Sequence, residues 1–96
     1  MKALFVIASD PRKSHRPAEA VRIAAGVGTW KKADVDLYLY DEGRHILDEA
    51  GADFIDEEHL TRYLPMLQES GGRVFVHKDD KEFARIAREY STVTWF

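Results

Sequence analysis

The chain has 96 residues, of which 45% are hydrophobic and 32% charged, with a formal net charge of −3 and no cysteine. This is the composition of one globular domain spanning 1–96, and it argues against a disordered or membrane-embedded protein. Without thiols there are no disulfides, thiolate metal centres or sulfur nucleophiles, and the acidic balance favours no nucleic acid, so any anion site has to be local.

Ala3-Leu4-Phe5-Val6-Ile7-Ala8 is an unbroken apolar run, the pattern of a parallel strand covered on both faces. It is too short for a signal-peptide core, and no stretch reaches the length of a membrane span, so the expected setting is the cytoplasm. The run stops at Ser9-Asp10-Pro11 and passes into a basic loop, Arg12-Lys13-Ser14-His15-Arg16. Pro17 then opens a helix, where its missing N–H does no harm. The polar positions Glu19, Arg22, Gly26 and Thr29 form one narrow stripe on this helix. The other positions are apolar, which calls for cover from the sheet and from a neighbouring subunit.

Val35-Asp36-Leu37-Tyr38-Leu39-Tyr40 alternates, and Asp36 on one face predicts an edge strand. Arg44–Asp56 offers two short apolar anchors, Ile46-Leu47 and Phe54-Ile55, around Gly51. Asp56-Glu57-Glu58 is an acidic helix start, Leu60, Tyr63, Leu64 and Leu67 form the apolar face, and Pro65 is expected to kink the helix or begin another. Ser70-Gly71-Gly72 ends it. Val74-Phe75-Val76 is a second continuous apolar strand, expected at the centre. A third helix follows His77-Lys78-Asp79-Asp80, with Asp79 as its cap and Phe83, Ile86, Ala87 and Tyr90 as its buried face. Thr92–Phe96 alternates and reads as a last edge strand.

The pattern predicts an α/β fold with a four-stranded parallel sheet and helices on both faces, a three-layer α/β/α domain. With continuous strands central and alternating strands at the edges, the expected order is 2-1-3-4, a flavodoxin-like arrangement. It places a switch point between the first and third strands. A crevice there would be bordered by Ser9–Arg16 and His77–Asp80.

KALFVIASDP, the Ala/Val-rich helix, DVDLYLYDEG and YLPMLQESGGRVFVHKDD together resemble the DsrE/DsrF-like family of small sulfur-relay and related proteins. The resemblance spans nearly the whole chain. It implies the α/β fold and assembly into trimers or hexamers. Sulfur-carrying members place their cysteine after the third strand; His77 or Lys78 stands there in this chain, so sulfur transfer does not carry over.

The candidate ligand-binding residues are Ser9, Asp10, Arg12, Lys13, Ser14, His15, Arg16, His77 and Lys78, and the ligand they suit is a small anion. The loop reads equally as a solvated turn, with Ser14 as a helix cap. No phosphate-binding glycine motif is present. His77 and Asp10 are the candidate catalytic residues for acid–base or phosphoryl chemistry, although His77 also reads as a plain polar strand end. Asp10 lacks the acidic cluster and fifth-strand lysine of a receiver domain. His15, His45, His59 and His77 show no H-x3-H spacing, so no metal or other cofactor is expected. Trp30 is expected in the core, and Trp95 with Phe96 at a partner surface. Three readings follow: a non-catalytic DsrE-like protein acting through homo-oligomeric assembly and protein binding, a small-anion or metabolite binding module, or a minor enzyme using His77.

Overall fold

The computed structural model of the chain describes residues 2–29, 34–47 and 54–96. Four strands, β1 (Lys2–Ile7), β2 (Asp34–Leu39), β3 (Val74–Val76) and β4 (Thr92–Trp95), alternate with three α-helices, α1 (Arg16–Thr29), α2 (Glu57–Glu69) and α3 (Asp80–Ala87). A 3-10 helix, Asp41–Leu47, follows β2. Among the described residues no helix is long and apolar enough to cross a membrane.

All strand pairs are parallel, and the sheet order is β3-β2-β1-β4. This corrects the expected order 2-1-3-4. β1 is central as its apolar run demands, but its central partner is β2, and β3 lies at an edge. The reason lies in Asp36. A carboxylate in an alternating strand signals an exposed face only if water solvates it. Here Asp36 is 6% exposed and is solvated by protein instead. Its Oδ1 accepts the Arg73 backbone N–H at 2.8 Å. Its Oδ2 accepts the Tyr90 hydroxyl at 2.5 Å and the Arg73 guanidinium at 3.3 Å. With the charge satisfied, β2 is buried at every position from Val35 to Leu39. The short strand Val74-Phe75-Val76 is only half-covered, and Val76 is exposed.

Strand alternation distributes the core over two faces of the sheet. Ala3, Ile7, Val35, Leu37 and Leu39 join the buried alanines of α1 and Leu60 and Leu67 of α2 in one cluster. Leu4, Val6 and Tyr38 join Ile86 and Tyr90 in the other, with Phe75 and Phe83 packed against them. The apolar girth of α1 is thus covered by the sheet and by α2. At the crossing of these two helices, a Cβ on Gly28 would meet Ser70 Oγ at 3.2 Å.

The helix ends follow their sequence signals. α2 stops where Gly71 N–H reaches the Gln68 carbonyl at 3.1 Å and Gly72 N–H reaches that of Leu67 at 2.9 Å. Gly71, at φ 98°, supplies the left-handed residue this ending requires. The helix runs as one element through Pro65, so no new helix begins there. Asp79 caps α3 by accepting the Glu82 N–H at 2.8 Å. Within Arg44–Asp56, Ile46 is buried and Phe54 packs on the core, whereas Leu47 and Ile55 are exposed. Residues 48–53 of that stretch, and Trp30, lie outside the described residues.

Burial pushes the Tyr90 phenol well above its usual range, and the bond to Asp36 adds to this. Tyr90 therefore stays a donor to the buried carboxylate. Replacing it with Phe removes that donor and should cost about 1–3 kcal/mol. Urea unfolding of Tyr90→Phe checks this; a midpoint equal to that of the wild type would show that Asp36 does not depend on the bond.

Candidate functional site

In an open parallel sheet, ligands gather at the carboxyl ends of the strands, above all where the chain reverses direction across the sheet. With the order β3-β2-β1-β4 that reversal falls between β1 and β4, not between β1 and β3 as expected, and β2 separates the loops that were to border the crevice. The candidate residues accordingly fall into three groupings.

The first lies at the β1–β4 boundary. Ala8 and Ser9 donate their N–H groups to the Phe96 carbonyl at 2.9 and 3.3 Å. The Arg16 guanidinium donates to the Trp95 carbonyl at 3.0 Å, and its carbon lies 5.9 Å from the Phe96 ring centroid. Ser14 Oγ accepts the Arg16 N–H at 3.1 Å, so it does help to start α1. Lys13 and His15 are exposed on the same loop. Arg16 is thereby committed to holding β4 against the loop.

The second grouping follows β1 and β2. Asp10 is 8% exposed. Its Oδ1 accepts the backbone and Nε protons of Arg12 at 2.9 and 3.0 Å, and its Oδ2 accepts one from the Arg12 Nη2 at 2.9 Å. The Arg12 side-chain bond, then its backbone N–H, hold the Asp10 carboxyl down at about 2 against the opposing effect of burial. The same guanidinium reaches Glu42 at 3.8 Å, and Glu42 accepts from or pairs with His45 Nε2 at 3.0 Å. Both Glu42 and His45 sit on the 3-10 helix. Gly43 between them lies so close to the end of β1 that an added Cβ would be 1.8 Å from the Ile7 carbonyl oxygen. No side chain fits in that gap, so glycine lets the 3-10 helix seat itself beside Asp10.

The third grouping is built on the other face around His77, which follows β3. The Tyr38 hydroxyl is 2.7 Å from His77 Nδ1. Burial, followed by the nearby acids Glu82 and Asp79, raises the Tyr38 phenol above its ordinary value, so it keeps a proton that it can donate to Nδ1. The tautomer that satisfies both contacts has Nδ1 accepting from the phenol and the imidazole proton on Nε2, which faces Asp80 Oδ1 at 3.5 Å. Tyr40 donates to the same Asp80 oxygen at 3.2 Å, a bond that raises its own phenol. The Tyr40 ring lies 4.2 Å from the imidazole, and Phe83 and Trp95 complete an aromatic wall. Lys78 is exposed beside it.

Two features escape a linear reading. Tyr38 and Tyr40 are the partners of His77 because residues two apart on a strand share a face, a signal present in the Tyr-Leu-Tyr spacing. Glu42 and His45 come together at an E-x-x-H spacing, but their neighbour Asp10 is supplied by another strand. No protein-family model matches the chain, and no curated protein matches it.

A carboxylate whose folded value lies below its unfolded one stabilises the fold above the unfolded value and loses that contribution as the pH falls through the folded one. For Asp10 the window lies between about 4 and about 2. Arg12→Met should return Asp10 toward about 4, so that the variant fails at a higher pH on acidification. A carbon-detected NMR titration of the Asp10 carboxyl reads this directly, and an unchanged midpoint would show that Arg12 does not hold the charge.

Proposed function

We propose that this is a cysteine-less DsrE-like domain, a three-layer α/β/α protein of flavodoxin-like type, which acts without catalysis by assembling with copies of itself. The assembled surface then presents its loops to a protein or a small anion. A cytoplasmic setting belongs to the same reading.

The observation that carries it is the state of β4. Its four residues, Thr92-Val93-Thr94-Trp95, are all exposed on an edge that no described strand extends. Trp95 is 47% and Val93 37% exposed. Edge strands that must stay single are guarded by lysine, proline or a bulge, and β4 contains no lysine or proline. Val93 and Trp95 pair with Leu4 and Val6, so they extend the sheet face that carries the aromatic wall. An eight-residue helix, α3, is the cover that the described chain provides there. The natural occupant is another copy of the chain, because the free backbone groups of an open strand edge can be satisfied by a neighbouring subunit and a homo-oligomer needs no third party. Trimers or hexamers are what the family resemblance implies.

Light scattering on the full chain at micromolar concentration should return three or six times the 11.0 kDa of one subunit. Trp95→Ser and Thr94→Lys should each shift the population toward smaller species while leaving the circular dichroism unchanged. A single 11.0 kDa species in the wild type removes the assembly reading.

A second reading, acid–base or phosphoryl chemistry at His77, is favoured by the 2.7 Å contact with Tyr38. A buried phenol that fixes the tautomer leaves Nε2 as the working atom. Long-range proton–nitrogen NMR should show a protonated Nε2 and a bare Nδ1 near pH 8, with the preference lost in Tyr38→Phe. The opposite tautomer in the wild type would point the reactive nitrogen into the core and end this reading.

A further inference from the structure

We propose that Asp10, Glu42 and His45 form a binding site for a divalent transition-metal ion, with Arg12 as the internal cation that the metal displaces. One carboxylate oxygen from each acid and one ring nitrogen of His45 lie within 4.8 Å of one another. The donor set is mixed rather than merely acidic. Two carboxylates and an imidazole suit zinc, manganese, cobalt or nickel, whereas calcium and magnesium prefer oxygen alone. Three protein donors leave further coordination positions for water or an anionic ligand.

A second observation points to a cation at this place. The site already surrounds one, since the Arg12 Nη2 lies 2.9 Å from Asp10 Oδ2 and 3.8 Å from Glu42 Oε2. The guanidinium carries a single charge on a side chain that is 43% exposed. It can therefore swing outward into water while its backbone N–H keeps its bond to Asp10 Oδ1. A divalent ion between the same oxygens offers twice the charge and, unlike the guanidinium, can also take the lone pair of His45 Nε2. Two backbone restraints hold the donors in register. The Asp10 carbonyl accepts the N–H groups of Lys13 and Ser14 at 3.0 and 2.9 Å, which fixes the turn after β1. Gly43, seated on the Ile7 carbonyl, fixes the 3-10 helix that carries Glu42 and His45. Asp10 is buried, His45 half-buried and Glu42 exposed, which makes a site with a closed floor and one open side for entry.

The test is calorimetric titration of the metal-free full chain with Zn2+ and with Mn2+, using Mg2+ as control, together with the visible spectrum of the Co2+ complex. One ion per chain is expected for Zn2+, with Mg2+ markedly weaker. Glu42→Gln and His45→Gln, both on the solvent side of the cluster, should each weaken Zn2+ binding by about tenfold or more. Arg12→Met should tighten it, because the competing cation is gone; this sign distinguishes a displaced guanidinium from a supporting one. Circular dichroism of each metal-free variant checks folding, and His15→Gln checks for adventitious surface binding. Zn2+ binding that survives both Glu42→Gln and His45→Gln, or a wild type that takes up no Zn2+ at millimolar concentration, overturns the proposal. Weaker binding in Arg12→Met overturns the displacement.

Discussion

The Asp36 carboxylate is the point on which the arrangement of the sheet depends. It lies in β2 and takes its bonds from Arg73, which leads into β3, and from Tyr90, which lies between α3 and β4. One buried anion thus joins three successive units of the chain at the amino-terminal end of the sheet. Such a group is tolerated only when its lone pairs are filled, and removing a partner leaves a costly orphan. The same requirement turns a strand that looks half-exposed into the second central strand, and it leaves β3 for the edge.

This division of labour has a counterpart at the opposite end. At the amino-terminal end the charged groups are consumed in holding the strands together. At the carboxyl end, backbone bonds do that work: the Ile7 carbonyl accepts the Tyr40 N–H, and the Leu39 carbonyl accepts that of His77. Apart from Arg16, which holds the Trp95 carbonyl, side chains there are released for other partners. His77 with two phenols and Asp80 occupies one face, and Asp10 with Arg12, Glu42 and His45 the ends of β1 and β2. The two constellations differ in chemistry. One sets an imidazole among phenols and a carboxylate, and the other collects negative charge around a cation.

Much of the framework was legible in the residues. The apolar run of β1, the glycine ending of α2, the Asp79 cap of α3 and the edge position of β4 each follow from local rules, because the groups that decide them are neighbours in the chain. The order of the strands was not legible. It turned on whether Asp36 faces water, and its partners Arg73 and Tyr90 lie 37 and 54 positions away. The basic loop shows the same limit. Arg12, Lys13 and Arg16 read as one positive patch along the chain. In space Arg12 is held by Asp10, and Arg16 is drawn to the Trp95 carbonyl, so the patch is divided among separate tasks.

The pairing of Ala3 with Thr92 and of Val6 with Trp95 also bears on how the protein comes together in time. Strands β1, β2 and β3 are consecutive neighbours, and each joins the last after a single crossover. β4 must close a loop that encompasses nearly every other element before it gains its first bond. Loop closure of that length is a slow, entropically disfavoured step, so β4 should dock last. The exposed strand edge and its tryptophan are then displayed only by molecules whose core is already complete. Self-recognition through that edge would act as a kinetic checkpoint, admitting finished subunits and passing over partly folded ones.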